Sequence, residues 1–332
     1  MKLFFIVGSG RCGTQMLRNI LSSYDDITIL PETHFIIPLY EKYKLNDITC
    51  DNFLEVIDSV YSGVGKKWVK VILSSAKKDY INYKKNFKRF IKLNNIKGSI
   101  KDFTEAFYIF LYGHKYLVGD KTPHYGANLQ IILKIWPDAK IINLKRDGIN
   151  VALSMLKHPA FIRDINGKIA FKNIGRIKIE NKEKNFSSNP PSIEEALKFW
   201  KDSINQIDES IIKSKKKNRF KLLNLHYEDF IYDTRKASKQ LIDFLDLKND
   251  RLLYYKTLCQ IKPFSPLKNP LNLNKDQYLK LYKLVQIEMK INNYPYIIQN
   301  KHGIFFEFLR IIGHYIFYTI DVIKKIYSKI FI

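Results

Sequence analysis

The chain begins with an apolar stretch that runs directly into a glycine-rich turn and then into a helical pattern. Residues 3–7 read as a buried strand, and Met16, Leu17, Ile20 and Leu21 recur on one face of the helix that follows the turn. Backbone N–H groups in such a turn converge at the positive end of a helix, where they bind anions well. The sequence therefore predicts a phosphate-binding turn here.

The turn matches the Walker A loop of ATP-binding proteins in spacing but not in its cation. Gly8 and Gly13 have the spacing of the G-x-x-x-x-G-K-[ST] pattern, yet Thr14 stands where that pattern requires lysine. The positive charge lies inside the loop instead, at Arg11. We expect the loop to grip an anion without hydrolysing ATP. The alternative is an ordinary strand-to-helix turn that uses glycine for tightness.

Composition adds only broad limits. The net charge of +24, from 56 Lys and Arg against 32 Asp and Glu, favours anionic partners such as nucleotides, acidic glycans or anionic lipids. Lys, Asn and Ile dominate the sequence, which AT-rich coding also produces, so the charge has little weight as a sign of function. No nucleic-acid partner is expected.

The three cysteines, Cys12, Cys50 and Cys259, are widely separated and form no C-x-x-C pair. Neither a zinc site nor a disulfide framework is predicted, and a reducing compartment fits best. The N-terminal apolar stretch is short and continues into the glycine-rich loop, so it does not read as a secretory signal. A cytoplasmic protein is expected.

Strand and helix patterns alternate along the chain. Further strands are predicted at residues 27–30, 116–119, 139–146 and 220–225. Helical patterns lie between them, including one at 149–156 that Asp147 caps and one that opens with a capping box at Ser192. Such alternation predicts an α/β fold with a central, mostly parallel sheet flanked by helices. Ligands bind these sheets at the carboxyl ends of the strands.

One domain is predicted over residues 1–300. Residues 40–115 are expected to be a variable insertion with a solvated, lysine-rich surface, and residues 157–191, rich in Gly and Pro, a mobile substrate loop. Residues 301–332 predict an amphipathic helix whose charges interrupt any span long enough to cross a bilayer. That helix is expected either on an anionic membrane surface or packed on the domain or on a second subunit of a homodimer.

Several motifs, in order, resemble the PAPS-dependent sulfotransferases, where PAPS is 3′-phosphoadenosine 5′-phosphosulfate. The loop Arg11-Cys-Gly-Thr resembles the family's (Lys/Arg)-Ser-Gly-Thr-Thr loop, and Arg146 with Ser154 eight residues later resembles its 3′-phosphate site. Lys121-Thr-Pro and Tyr227-Glu-Asp resemble two further elements. The likeness covers roughly residues 3–35 and 116–296. Pro31-Glu-Thr brings it closest to the carbohydrate and tyrosylprotein branches.

The resemblance implies a three-layer, P-loop NTPase-like fold and a set of residues that contact the nucleotide. These are Gly10, Arg11, Cys12, Gly13, Thr14 and Gln15 for the 5′-phosphosulfate, Arg146 and Ser154 for the 3′-phosphate, and Tyr227. Cys12 and Gln15 depart from the commonest residues of the loop, which weakens hydroxyl contacts but leaves the backbone cradle. No metal is implied.

The resemblance also implies sulfuryl transfer from PAPS to an acceptor hydroxyl or amine. Glu32 is the expected general base, and Arg11 and Lys121 are expected to stabilise charge on the leaving group. Alternatively, Glu32 only orients Arg11 as an ion pair, and His124 or His34 is the base.

The expected acceptor is a carbohydrate or a glycolipid, with peptide tyrosine and small metabolites as alternatives within the family. Two other classes of function stay open at this point. One is a P-loop nucleotide kinase or NTPase, and the other is a non-catalytic protein of the same fold that binds acidic glycans or lipids.

Overall fold

A central five-stranded sheet organises the chain. A computed structural model describes residues 2–24, 27–61, 67–174, 189–216, 220–247 and 275–292. The strands of this sheet are β1 (Lys2–Val7), β2 (Ile27–Leu30), β5 (Leu117–Lys121), β6 (Lys140–Lys145) and β7 (Lys221–His226), and a separate two-stranded sheet pairs β3 (Asp47–Ile48) with β4 (Gly98–Ser99).

Helices connect and flank these strands. They are α1 (Thr14–Leu21), α2 (Ile36–Tyr43), α3 (Cys50–Ser59), α4 (Trp68–Ser75), α5 (Tyr83–Leu93), α6 (Ile100–Tyr112), α7 (Leu129–Ile135), α8 (Gly148–Met155), α9 (Pro159–Asn166), α10 (Ile193–Lys215), α11 (Tyr227–Tyr232), α12 (Thr234–Leu245) and α13 (Lys275–Ile291). Two short 3₁₀ helices cover Pro123–Asn128 and Phe171–Asn173. Within the described ranges, no helix combines the length and apolar composition needed to cross a bilayer.

All pairings in the five-stranded sheet are parallel, and its strand order is β2-β5-β1-β6-β7. Parallel strands must be joined by crossovers, and the helices between successive strands supply them. The predicted α/β fold with a mostly parallel sheet flanked by helices is therefore confirmed. The predicted strand at residues 27–30 is confirmed to the residue, and the ends of the other predicted strands agree to within two positions.

The register of the strands decides which residues meet at the carboxyl edge. Leu30 lies opposite Asp120, Ile6 opposite Lys121, and Lys145 opposite His226. The residues that follow these pairs therefore enter one common region, which is where ligands bind parallel sheets.

The described part of residues 40–115, the expected insertion, forms helices and contributes an aromatic cluster to the core. Phe53, Phe87 and Phe107 are fully buried, with ring centroids 5.3–5.8 Å apart. The basic helix α5 buries Tyr83, Phe87 and Ile91 on one face and exposes most of its lysines on the other. The lysine-rich stretch is thus both a solvated surface and part of the core.

The expectation of a loop at residues 157–191 is wrong for its first part. Helix α9 begins at Pro159, which fits the first turn because its missing N–H needs no partner there. Asp164 and Ile165 are buried, so tertiary packing holds the segment. Residues 175–188 lie outside the described ranges, as do the helix expected at 301–332 and the membrane or subunit contacts expected of it.

Helix α8 approaches α10 so closely that its first residue must be glycine. A Cβ atom on Gly148 would lie 2.6 Å from Cζ3 of Trp200. The Trp200 ring is fully buried, so it cannot easily move away from an added methyl group. The capping box at Ser192 fixes the start of α10, because the Ser192 hydroxyl accepts from the Glu195 N–H. The contact between Gly148 and Trp200 packs α8 against α10, and α8 carries Ser154.

We predict that Gly148→Ala lowers the free energy of unfolding by about 1–3 kcal/mol, because the added methyl overpacks the contact with Trp200. Denaturant titration measures the change. In a Trp200→Phe background the same substitution should cost less, since the smaller ring leaves room. Equal costs in both backgrounds would place the strain elsewhere.

Candidate active site

A cavity of about 830 Å³ opens at the carboxyl edge of the sheet. Every site residue predicted from the sequence lines it, except Cys12. They are Gly10, Arg11, Gly13, Thr14, Gln15, Glu32, His34, Lys121, His124, Arg146, Ser154 and Tyr227. Segments from five different strand ends therefore meet in one place.

The glycine-rich loop forms the floor of one end of the cavity. Gly10, Arg11 and Gly13 have positive φ angles of 78°, 52° and 100°, so the backbone turns sharply between β1 and α1. A Cβ atom on Gly13 would lie 2.5 Å from Cδ2 of Tyr227, so only glycine fits beneath this ring. The aromatic ring thus lies directly on the backbone cradle.

Cys12 is the one predicted ligand residue whose side chain lies outside the cavity. The side chain is fully buried, and a Cβ atom on Gly8 would lie 2.6 Å from its Sγ. Burial raises the pKa of the Cys12 thiol, which keeps it protonated. Only the backbone of Cys12 is therefore available to a ligand.

Arg11, Arg146 and Ser154 form a connected polar group across the cavity. Arg11 Nε donates to Ser154 Oγ at 3.1 Å, and Arg146 Nη1 donates to the Arg11 carbonyl at 3.3 Å. The Arg146 guanidinium carbon lies 4.2 Å from the centre of the Tyr227 ring, within the range of cation–π attraction. The loop and the Arg146–Ser154 pair are thus parts of one site.

Two buried carboxylates lie behind Arg146. Asp147 caps α8 by accepting from the Asn150 N–H at 2.8 Å, and its own N–H donates to Glu228 Oε1 at 3.0 Å. Asp147 Oδ2 and Glu228 Oε2 are buried without a hydrogen-bond partner among the described residues. Burial, the largest cause, and the negative charge of Asp147 together raise the pKa of Glu228 to about 7.

Glu32 is held between two cationic or hydrogen-bonding groups. Its Oε1 lies 2.9 Å from Lys121 Nζ and its Oε2 lies 2.9 Å from His34 Nε2. Lys121 and His34 are buried, whereas the Glu32 side chain keeps 29 % of its exposure toward the cavity. Lys121 is thus a charged partner of Glu32, and the negative charge of Glu32 also acts on the Arg11 guanidinium, whose pKa it raises against the stronger lowering effect of burial.

Aromatic rings stack beside Glu32. The rings of His34 and His124 lie nearly parallel with centroids 4.7 Å apart, and the ring centroids of His34 and Trp68 are 4.4 Å apart. His34 has a positive φ of 60°, an unusual backbone state for a residue other than glycine. Such a state at a cavity wall is characteristic of functional sites.

Trp68, His158 and Phe161 also line the cavity but were not predicted from the sequence. Trp68 and His158 lie in segments without a motif, so nothing local marks them. Burial and the positive charge of Arg11 lower the pKa of His158, so its imidazole is neutral at pH 7. Among the described residues, no group of three or more His, Cys, Asp or Glu could hold a metal ion.

A sequence model of the sulfotransferase family matches residues 4–251 of this chain. That range includes the glycine-rich loop, Glu32, Lys121, Arg146, Ser154 and Tyr227. No curated protein matches the sequence.

Many solved structures are similar to the chain, and three of them are sulfotransferases with the following likeness. The sulfotransferase domain from the curacin biosynthetic pathway has 17% identity and a TM-score of 0.49, covering 90% of this chain and 94% of that one. The sulfotransferase domain of the Synechococcus PCC 7002 olefin synthase has 16% identity, 96% and 94% coverage and a TM-score of 0.44. The sulfotransferase from Alicyclobacillus acidocaldarius has 18% identity, 89% and 97% coverage and a TM-score of 0.44.

The buried Glu228 makes a testable contribution to the pH dependence of stability. Its pKa in the folded protein, about 7, lies above the ordinary value of 4.5, so the folded state binds the extra proton between these limits. Stability should therefore fall as pH rises from 4.5 to 7. We predict that Glu228→Gln removes this loss, worth on the order of 2–3 kcal/mol, as measured by denaturant titration at pH 5 and pH 8.

The control is Glu194→Gln, which changes an exposed glutamate in the first turn of α10. It should leave the pH profile of stability as it is in the parent protein. Parallel profiles for Glu228→Gln and the parent protein would show that Glu228 does not take up a proton in this window.

Proposed function

Because the chain belongs to the sulfotransferase family, we propose that it transfers a sulfuryl group from PAPS to the hydroxyl or amine of an acceptor. One observation carries the proposal. A single cavity brings together a phosphate-binding loop, the Arg146–Ser154 pair and a carboxylate–lysine pair at Glu32 and Lys121. The loop and the Arg146–Ser154 pair suit the phosphate groups of the nucleotide, and the Glu32–Lys121 pair suits the transfer step.

The residues at one end of the cavity fit the two phosphate groups of PAPS. The backbone N–H groups of residues 10–15 would hold the 5′-phosphosulfate at the start of α1. Gly13 has no side chain, which leaves room for the Tyr227 ring beside this loop. Arg146 and Ser154 would hold the 3′-phosphate, one with a charged fork and the other with a hydroxyl. PAPS would supply the activated sulfuryl group, and these residues would hold it in place.

Glu32 is the proposed general base. Its carboxylate faces the cavity, and Lys121 and His34 hold both of its oxygens in place. In the reaction the acceptor oxygen bonds to sulfur, the bond from sulfur to the 5′-phosphate oxygen breaks, and the acceptor proton passes to Glu32. His34 and His124 lie close enough to remain the alternatives.

Lys121 has a second proposed role, which follows from its pairing with Glu32. Once Glu32 takes a proton it no longer balances the ammonium, whose charge then acts on the oxygen of the leaving phosphate. Arg11 lines the same end of the cavity and would stabilise the same charge. The two cations thereby favour the state in which negative charge builds up.

The proposed acceptor is a carbohydrate or a glycolipid. The indole of Trp68 and the imidazoles of His34 and His124 form an aromatic wall beside Glu32. His34 and His124 are buried and stack on each other, so the half-buried Trp68 indole is the ring that can offer an apolar face to a sugar. The Glu32 carboxylate beside it would accept hydrogen bonds from the sugar hydroxyls.

An acceptor screen with radiolabelled PAPS tests the reaction and the acceptor together. Neutral sugars, glycolipids, tyrosine peptides and small phenols each form one arm of the screen. Label on a sugar or glycolipid supports the proposal, and label on tyrosine or a metabolite reassigns the acceptor. Tighter binding of ATP with magnesium than of PAPS would favour a kinase or NTPase, and glycan or lipid binding without transfer would favour a non-catalytic protein.

We predict that adenosine 3′,5′-bisphosphate binds much more tightly than AMP, and that Arg146→Ala reduces this preference about 10- to 100-fold. A charge-assisted contact of this kind contributes roughly 1.5–3 kcal/mol. Calorimetry of both nucleotides with both proteins measures the preference.

Arg18→Ala is the matched control, since Arg18 bonds the Ile29 carbonyl and Ser75 and does not line the cavity. It should keep the preference for the bisphosphate. Equal affinity of the parent protein for the two nucleotides would refute the 3′-phosphate assignment.

We predict that Glu32→Gln lowers kcat about 10²- to 10⁴-fold while the affinity for adenosine 3′,5′-bisphosphate stays similar, because glutamine keeps the shape but accepts no proton. Glu55→Gln is the control, since Glu55 also pairs with a lysine, Lys42, on the protein surface. If Glu32→Gln stays active while His34→Ala or His124→Ala is inactive, the base is that histidine.

A further inference from the structure

A fully buried carboxylate, Asp120, precedes Lys121 in β5. No ion pair within 4 Å is seen for it, and three hydroxyl groups surround it instead. Thr33 Oγ1 donates to its Oδ2 at 2.7 Å, Tyr108 OH donates to the same oxygen at 2.8 Å, and Thr122 Oγ1 donates to Oδ1 at 2.6 Å. Three donors satisfy the carboxylate in its ionised form.

Two of the three donors belong to segments that carry the proposed catalytic residues. Thr33 lies between Glu32 and His34 in the chain, and Thr122 directly follows Lys121. The two threonines are also bonded to each other, since the Thr33 N–H donates to Thr122 Oγ1 at 2.9 Å. Asp120 is therefore the common acceptor that ties the Glu32 segment to the Lys121 segment.

The Glu32 segment depends on these bonds because it has no other regular support. Residues 31–35 belong to neither a helix nor a strand. The Thr33 hydroxyl also lies 2.9 Å from Tyr125 OH, which accepts from the Ile36 N–H at 3.1 Å. The segment is therefore held at Thr33 by hydrogen bonds to Asp120 and Thr122, and at Ile36 by a hydrogen bond to Tyr125 in the adjoining 3₁₀ helix.

We propose that Asp120 is a positioning residue, which sets the Glu32 carboxylate against Lys121 through the hydroxyls of Thr33 and Thr122. The inference rests on the proposed function, since it concerns the geometry of the proposed base. The proposal is based on three short hydrogen bonds from hydroxyl groups to the buried Asp120 carboxylate. Two of these hydroxyls belong to the segments that carry Glu32 and Lys121. Errors of about 1 Å in such placement can cost 10²-fold in rate.

Tyr108 separates positioning from mere stabilisation. It donates to the same Asp120 oxygen as Thr33, but it lies in α6 and does not line the cavity. If the buried cluster only stabilises the fold, removing either hydroxyl should have similar consequences. If it positions Glu32, only the threonine should matter for turnover.

The experiment compares Thr33→Val, Thr33→Ser and Tyr108→Phe in the full chain. With the acceptor that the screen identifies, Thr33→Val should lower kcat about 10- to 100-fold with little change in KM for PAPS. Thr33→Ser, which restores the hydroxyl, should recover kcat to within about threefold of the parent protein, and Tyr108→Phe should stay within the same limit. Melting temperatures report stability separately.

Crystal structures of the variants give a readout that does not depend on sulfuryl transfer. The separation of 2.9 Å between Glu32 Oε1 and Lys121 Nζ should be lost in Thr33→Val and kept in Thr33→Ser and Tyr108→Phe. If no acceptor is ever labelled, the proposed function fails, and this distance still tests the positioning role. Binding of adenosine 3′,5′-bisphosphate should be the same in all variants.

Two results would overturn the proposal. One is a Thr33→Val protein that keeps kcat and the Glu32–Lys121 contact, and the other is an equal loss of kcat in Thr33→Val and Tyr108→Phe. If Thr33→Val does not fold, Thr122→Val against Thr122→Ser repeats the test from the other side, because it removes the acceptor of the Thr33 N–H. Full activity in Thr122→Val with an intact contact would equally refute it.

Discussion

The whole site depends on the parallel pairing of β1 with both of its neighbours. β1 lies at the centre of the sheet, bonded to β5 on one side and to β6 on the other. Since the strands run in one direction, their carboxyl ends share an edge, and each chain segment leaving that edge starts near the others. The glycine-rich loop, Lys121 and Arg146 come together for this reason, although they lie far apart in the sequence.

The sequence was sufficient wherever structure follows from local rules. The strands at residues 27–30 and 139–146 were predictable because each is a short apolar run bounded by turn residues. The starts of α8 and α10 were predictable because Asp147 and Ser192 are capping residues whose side chains bond to their own helix. Position at a strand end marked the glycine-rich loop, Lys121, Arg146 and Tyr227, and the resemblance to the sulfotransferases added Glu32, His124 and Ser154; all of these line the cavity.

What the sequence could not supply were contacts between distant segments. Lys121 and Glu32 are 89 positions apart, and no local pattern states that they form an ion pair. The hydroxyl cluster around Asp120 draws on three segments in the same way. Helix α9 was missed because flanking Gly and Pro suggested a loop, whereas burial of Ile165 stabilises a helix. In each case tertiary packing decided the outcome.

The buried thiol of Cys12 allows opening of the phosphate-binding loop to be measured by thiol alkylation. Cys12 Sγ lies under the backbone of Gly8, so an alkylating reagent can reach it only when the loop lifts away from β1. When closing is faster than alkylation, the observed labelling rate is set by the population of the opened loop, as in amide hydrogen exchange. Cys50, which is half-buried at the start of α3, supplies a comparison within the same molecule. The local stability of the loop can thus be measured in the native chain, apart from global unfolding and without an introduced probe.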